Sequence, residues 1–169
     1  MSDPVQFTLN GRAVEASAQD SDMTLLEFLH ERQDLTGTKF CCGVGMCCAC
    51  TVITQSAPDA AFDKKFACLT QVSSLQGMRI QTVESLGTQD DLAPLQQAFL
   101  ENFSFQCGYC APGFLMAATA MLSQLKATPV SASQLDALIE SAVGSHVCRC
   151  TGYVRYREAI RKVALPLTR

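Results

Sequence analysis

Cysteine spacing constrains this chain more than any other feature. Of its ten cysteines, eight fall into two sets of four. The first set is Cys42-x4-Cys47-x2-Cys50, completed by Cys68; the second is Cys107-x2-Cys110 with Cys148-x-Cys150. Any fold must therefore bring a cysteine loop against a distant segment, and must do so twice. An even number of cysteines also permits a disulfide scaffold. Adjacent Cys-Cys and Cys-x-Cys pairs are poor disulfide spacings, however, and 169 residues is large for a stapled domain.

The x4, x2, distant-Cys spacing is the plant-type arrangement for a [2Fe–2S] cluster. Gly43 and Gly45 let the intervening loop turn tightly and aim its amides at the sulfurs. Cys41 and Cys48 lie in the same loop, but only Cys42, Cys47 and Cys50 satisfy both spacings together. Cys41 and Cys48 are accordingly read as non-ligands that pack as small soft residues. Zinc also takes four thiolates, but usually from two Cys-x2-Cys knuckles, and each set here has only one x2 pair. A Rieske centre needs two histidine ligands. The two histidines, His30 and His146, lie in no Cys-x-His pair. His30 reads as a helix-surface residue and His146 as structural, near the second set.

Periodicity supplies the frame. Residues 5–9 and 12–16 alternate as two strands around an Asn10-Gly11 hairpin turn. Residues 24–32 read as a helix with Leu25, Leu26, Phe28 and Leu29 on its buried stripe. Residues 50–54 and 79–83 read as further strands, and Asp63-Lys64-Lys65 as a solvent-rich turn before Cys68. After a linker at 84–94 the pattern turns helical, with helices expected at 92–103, 113–126, 133–143 and 153–163. The fold class is therefore α+β. A ferredoxin-like β-grasp domain at 1–84 is followed by a four-helix domain at 85–169. The second cysteine set sits at two helix starts, where the helix dipole favours thiolate charge.

A net charge of −3 gives no case for nucleic-acid binding. The longest strongly apolar stretch, 113–122, is too short to span a membrane. No signal peptide or twin-arginine motif is visible, which points to the cytoplasm. Export, or membrane association, through a partner's signal stays open. No Cys/His pair, Ser/His/Asp set or phosphate-binding loop supplies a catalytic constellation of the chain's own.

Three segments carry a resemblance: GTKFCCGVGMCCACTV at 37–52, QCGYCAPGF at 106–114 and CRCTGY at 148–153. In this order they resemble the small iron–sulfur subunit of the molybdenum hydroxylases, the group of xanthine dehydrogenases and aldehyde oxidoreductases, over residues 5–163. The resemblance implies two [2Fe–2S] clusters, one on Cys42, Cys47, Cys50 and Cys68, the other on Cys107, Cys110, Cys148 and Cys150. It implies a molybdopterin cofactor held by a large partner subunit, contacted by Gln106 and Cys150. Electrons would leave that centre, during oxidation of an aldehyde or N-heterocycle, for FAD or a cytochrome on a further partner. Gln106 bonding its own backbone, a stand-alone two-cluster ferredoxin and a zinc-stabilised interaction module remain alternatives. Two departures stand out. The family usually has glycine where this chain has Cys41 and Cys48, and the 37 residues between Cys110 and Cys148 make a long gap.

Overall fold

The computed structural model describes residues 3–151 and 153–169. Two strands, β1 (Val5–Leu9) and β2 (Arg12–Ala16), pair antiparallel around Asn10 and Gly11. Both turn residues have positive φ, 50° and 80°, as a two-residue hairpin of matching twist requires. Helix α1 (Leu25–Arg32) follows, started by Thr24, which accepts from the Glu27 amide while Glu27 accepts from the Thr24 amide. Strands β3 (Thr51–Gln55), β4 (Asp63–Phe66) and β5 (Arg79–Gln81) complete a sheet of order β2-β1-β5-β3-β4. The β1–β5 pair is parallel and the others antiparallel. The stripe Leu25, Leu26, Phe28 and Leu29 closes over Val5, Phe7, Leu9, Val52 and Ile80, with Phe7 and Phe28 edge to face at 5.7 Å.

Four helices follow: α2 (Pro94–Glu101), α3 (Ala111–Ala127), α4 (Leu135–Val143) and α5 (Val154–Ala164). Their shared core centres on Phe99, Phe114, Leu125, Leu135, Ile139, Tyr156 and Ile160. The mixed sheet followed by helices is the expected α+β fold.

Several expected boundaries move, each for a local reason. Asp63-Lys64-Lys65 is not a turn but most of β4, an edge strand paired with β3. Asp63 is exposed and Lys64 reaches across to α4, and charges of this kind keep an edge strand from pairing with another chain. The helix expected from residue 92 starts at Pro94, whose missing N–H suits the first turn. The helix expected from 133 starts at Leu135, after a 3-10 turn capped by Ser131. The last begins at Val154 because Tyr153 is left-handed, with φ 75°. Strand 79–83 stops at Gln81, where the chain enters a short 3-10 turn.

Sheet and helices are joined through one strip of chain. Ile53 on β3 packs with Met116 and Ala120 of α3. The β4 residue Lys64 donates from Nζ to the Ala142 carbonyl at 2.8 Å. Gly113, in the first turn of α3, sits so close to the loop before β3 that a Cβ there would lie 2.4 Å from the Cys48 carbonyl oxygen.

Candidate metal centres

All ten cysteines are free thiols. The first set lies on the loop between α1 and β3, with Cys68 supplied just after β4. Gly43 and Gly45 take positive φ, 69° and 73°, and the loop curls around Cys42. The amides of Val44 and Cys47 point at Cys42 Sγ from 3.5 and 3.4 Å. These bonds, Val44 first, hold the Cys42 thiol down at about 6, so it is a ready thiolate. Cys47 is in hydrogen-bonding contact with Cys42 and also with Cys41, and burial pushes its thiol up. Cys50 Sγ lies 3.3 Å from Cys68 Sγ, and burial pushes Cys50 up to about 12.

The second set sits where expected, just before α3 and α5. Cys107 Sγ and Cys150 Sγ are 3.6 Å apart and exposed. Cys110 and Cys148 lie deeper and contact each other. Burial pushes Cys110 up to about 11. Burial also opposes ionisation of Cys148, but hydrogen bonds from Thr151, Cys110 and the Cys150 backbone outweigh it and bring that thiol down.

The thiols of each site thus form two pairs, Cys42/Cys47 with Cys50/Cys68, and Cys107/Cys150 with Cys110/Cys148. Two thiolates on one tetrahedral metal, at bonds of about 2.3 Å, lie about 3.8 Å apart. The observed 3.3 and 3.6 Å separations need little adjustment to meet that. Two metal atoms per site, each taking one pair, is the demand of a [2Fe–2S] core, and the donor sets fit it.

The two left-over cysteines part company. Cys41 is exposed beside Cys42. Cys48 is buried and left-handed, φ 59°, with its thiol 3.7 Å from the Ser145 carbonyl and 3.6 Å from Ser145 Oγ. It turns away from the first site toward the helical half. The left-handed conformation that favours glycine is therefore present at Cys48, whereas Cys41 has no positive φ.

Gln106 donates from Nε2 to the Cys150 carbonyl at 3.3 Å, across the site rather than within its own loop. Both residues line an open recess of about 500 Å³ with Phe103, Phe105, Thr151 and Arg155. His30 is not a free surface residue; its Nε2 lies 2.7 Å from the Thr38 carbonyl, bracing the start of the cysteine loop. His146 is buried and structural, tilted against Phe114 at 4.9 Å with Nε2 3.4 Å from Thr51 Oγ1. Burial first, and Lys64 second, hold its pKa down to about 4, so it is neutral. Gly152 of the CRCTGY motif lies outside the described residues.

Sequence reasoning missed the links between sites. The Val147 amide donates to the Cys47 carbonyl at 3.1 Å, and Tyr109 of the second loop donates its hydroxyl to the Phe40 carbonyl of the first. It also missed Tyr156, whose hydroxyl meets Cys110 Sγ at 3.3 Å. The available signal was its place on the first turn of a helix that starts next to two ligand-type cysteines.

Comparison with known proteins agrees with this geometry. Residues 7–73 match the family described as 2Fe-2S iron-sulfur cluster binding domain, and residues 82–161 the family described as [2Fe-2S] binding domain. The chain is 36% identical over 160 residues to the caffeine dehydrogenase subunit gamma of Pseudomonas sp. (strain CBB1), covering 95% of this chain and 90% of that one. It is 39% identical over 157 residues to aldehyde oxidase 2 of Rattus norvegicus, but spans only 11% of that protein's length. Among solved structures, quinoline 2-oxidoreductase from Pseudomonas putida 86 superimposes with a TM-score of 0.78 at 30% identity, over 96% of this chain and 92% of that one. The aldehyde oxidoreductase of Desulfovibrio desulfuricans gives 0.82 at 30% identity, over 97% of this chain and 17% of that one. The chain belongs to the two-domain [2Fe–2S] iron–sulfur family of the molybdenum hydroxylases.

Proposed function

We propose that this chain is the electron-transfer subunit of a molybdenum hydroxylase complex that oxidises an aldehyde or an N-heterocycle. A large partner subunit holds the molybdopterin, and a third partner holds FAD or a cytochrome as acceptor. When bound, each [2Fe–2S] cluster takes up and gives back a single electron. Cys42, Cys47, Cys50 and Cys68 hold the first, in the unit at 1–84. Cys107, Cys110, Cys148 and Cys150 hold the second, in the unit at 85–169. The two amides on Cys42 favour it over Cys41 as ligand, and Cys48 takes no part because its thiol is turned to Ser145.

The observation that carries this reading is the Val147 N–H to Cys47 carbonyl bond. Cys47 is a ligand of one site and Val147 adjoins Cys148, a ligand of the other. The sites are thus joined by covalent bonds and one hydrogen bond, which suits conduction between them more than two independent zinc knuckles.

The outer faces supply the two contacts. Gln106 and Cys150 meet the pterin in their recess, and the Gln106 bond to the Cys150 carbonyl keeps the carboxamide in place there. Around the first site Phe40, Val44, Met46 and Leu69 are all more than half exposed, an apolar rim for the acceptor subunit. Two relatives that this chain spans nearly end to end carry the names of caffeine and quinoline enzymes, which supports an N-heterocycle.

Purification of the native complex tests the reading. The expected preparation is red-brown and contains a much larger chain. Its reduced EPR spectrum shows two distinct signals, both of which develop on adding the substrate alone. Two signals with no large chain would make this a stand-alone ferredoxin, and no signals would remove the cluster assignment.

A further inference from the structure

The second site has an asymmetry that ligand count does not require. Its deeper thiols each meet a side-chain hydroxyl, Tyr156 Oη at 3.3 Å from Cys110 Sγ and Thr151 Oγ1 at 3.2 Å from Cys148 Sγ. Among the described residues, the sulfurs of the exposed pair Cys107 and Cys150 meet no side-chain partner but each other.

Tyr156 is fully buried. Its ring stacks on Phe114 at 4.1 Å and 2° and meets Phe99 edge-on at 5.1 Å, so the ring is clamped on two sides. Cys110 Sγ is the hydroxyl's only hydrogen-bond partner among the described residues. Phenylalanine would serve the stacking equally well and would bury no polar atom, so packing alone does not account for the hydroxyl. A metal-bound Cys110 is a thiolate without a proton. The tyrosine O–H is then necessarily the donor and the sulfur the acceptor.

We propose that Tyr156 is a positioning residue that sets the reduction potential of the second cluster. Its hydroxyl donates to the Cys110 thiolate and raises that potential, and Thr151 acts in the same sense on Cys148. The proposal rests on the assignment of Cys110 and Cys148 as ligands. The couple takes one electron and no proton: the O–H stays on tyrosine and the thiolate stays on iron in both states. Reduction adds negative charge that the ligand sulfurs share. A hydrogen bond to a more negative acceptor is stronger, and stronger still in a buried, low-dielectric setting. The bond therefore stabilises the reduced state more than the oxidised one, the sense in which hydrogen bonds to sulfur tune such clusters.

The test is a redox titration of the cluster-loaded complex followed by EPR. The signal that survives in Cys42→Ala identifies the second site. Tyr156→Phe keeps both aromatic contacts and removes only the hydroxyl. At a fixed potential the reduced-to-oxidised ratio of the second signal is expected to fall about tenfold, a 59 mV drop for a one-electron couple. The first signal is the internal reference and is expected to keep its midpoint. Thr151→Val is expected to lower the second midpoint too, and Thr151→Ser to restore it. Both signals at full intensity with an unmoved second midpoint in Tyr156→Phe would overturn the proposal, as would equal shifts of both signals. Should Tyr156→Phe lose the second cluster, Thr151→Val decides, and an unmoved midpoint there counts against the proposal. A wild-type complex lacking the second signal would instead overturn the ligand assignment.

Discussion

Gly113→Ala should reverse the usual sign of a glycine-to-alanine change in a helix. Gly113 lies in the first turn of α3. Alanine there would ordinarily gain up to about 1 kcal/mol in helix propensity. The added Cβ, however, would sit 2.4 Å from the Cys48 carbonyl oxygen and 3.2 Å from both Cα and carbonyl oxygen of Ala49, all backbone atoms. No rotamer change relieves such a contact, so α3 and the loop must separate by nearly an ångström. The loop cannot yield freely, because Cys47 and Cys50 on either side of it are the proposed ligands of the first site. Overpacking of this kind costs roughly 1–3 kcal/mol. A 2.4 Å approach to backbone places the cost in the upper part of that range, about 2–3 kcal/mol, so net of propensity a loss of about 1–2 kcal/mol remains, or roughly 2–8 °C in Tm for a chain of this size. Thermal unfolding of the loaded protein by circular dichroism reads the stability, and the EPR line shape of the first cluster reads the loop. A Tm equal to or above wild type, with an unaltered first signal, would refute the reasoning.

The other expectations are simpler to state. Cys42→Ala should abolish one of the two EPR signals and Cys41→Ala neither; loss of a signal in Cys41→Ala would show that the ligand register is wrong. Cys48→Gly should stay within about 1 kcal/mol of wild type, since relief of left-handed strain, roughly 1–2 kcal/mol, offsets the lost buried thiol. Cys48→Val, similar in size but β-branched at φ 59°, should melt several degrees lower than Cys48→Gly. Asp20 accepts from Ser17 Oγ at 2.6 Å and Arg32 Nε at 2.8 Å, which hold its carboxyl below the ordinary 3.8. A depressed carboxyl stabilises the fold above its ordinary value and ceases to do so as pH falls through the folded one. Wild type should therefore lose this contribution in acid. Asp20→Asn, weaker by about 1 kcal/mol at neutral pH, should lack that acid step in a urea titration repeated across pH.

The parts of the fold that were legible in the sequence are those decided by local chemistry. The alternation Val5, Phe7, Leu9 and the Asn10-Gly11 turn define the hairpin without help from the rest of the chain. Thr24 and Glu27 start α1, and four apolar residues on one face say where it packs. The grouping of the cysteines was legible because three of the first four, Cys42, Cys47 and Cys50, come from one short loop. β4 was illegible for the opposite reason. Its Asp-Lys-Lys run has turn composition, and only the neighbouring β3 makes it a strand. His30 looked like surface because nothing in its helix shows that Thr38, on the returning chain, will lie over it. The contacts joining the sites span 69 residues from Phe40 to Tyr109 and 97 from Cys48 to Ser145. No periodicity reports separations of that kind.

Those long-range contacts fall on one strip. Residues 47–51 meet residue 113 and residues 145–147 through the Cys47–Val147 backbone bond, the Cys48–Ser145 thiol contacts, the Thr51–His146 contact and the close approach of Gly113. The strip carries two of the proposed ligands of the first site, Cys47 and Cys50, and its opposite wall runs directly into Cys148, a proposed ligand of the second. The spacing between the proposed clusters is therefore set within this strip, by the Cys47–Val147 backbone bond and the Gly113 approach together with the buried Cys48 and Thr51 side chains, and not by side chains at the rims. Tyr156 makes none of the contacts of that strip; its hydroxyl meets Cys110 and acts on potential rather than spacing. The two quantities that govern electron exchange, distance and driving force, are thus held by different residues. Gly113→Ala should slow exchange between the clusters while leaving the second midpoint in place. Tyr156→Phe should move the midpoint and change the rate only by the amount the altered driving force demands. If Gly113→Ala moved the second midpoint as far as Tyr156→Phe does, spacing and potential would share one structural origin, and this division of roles would fail.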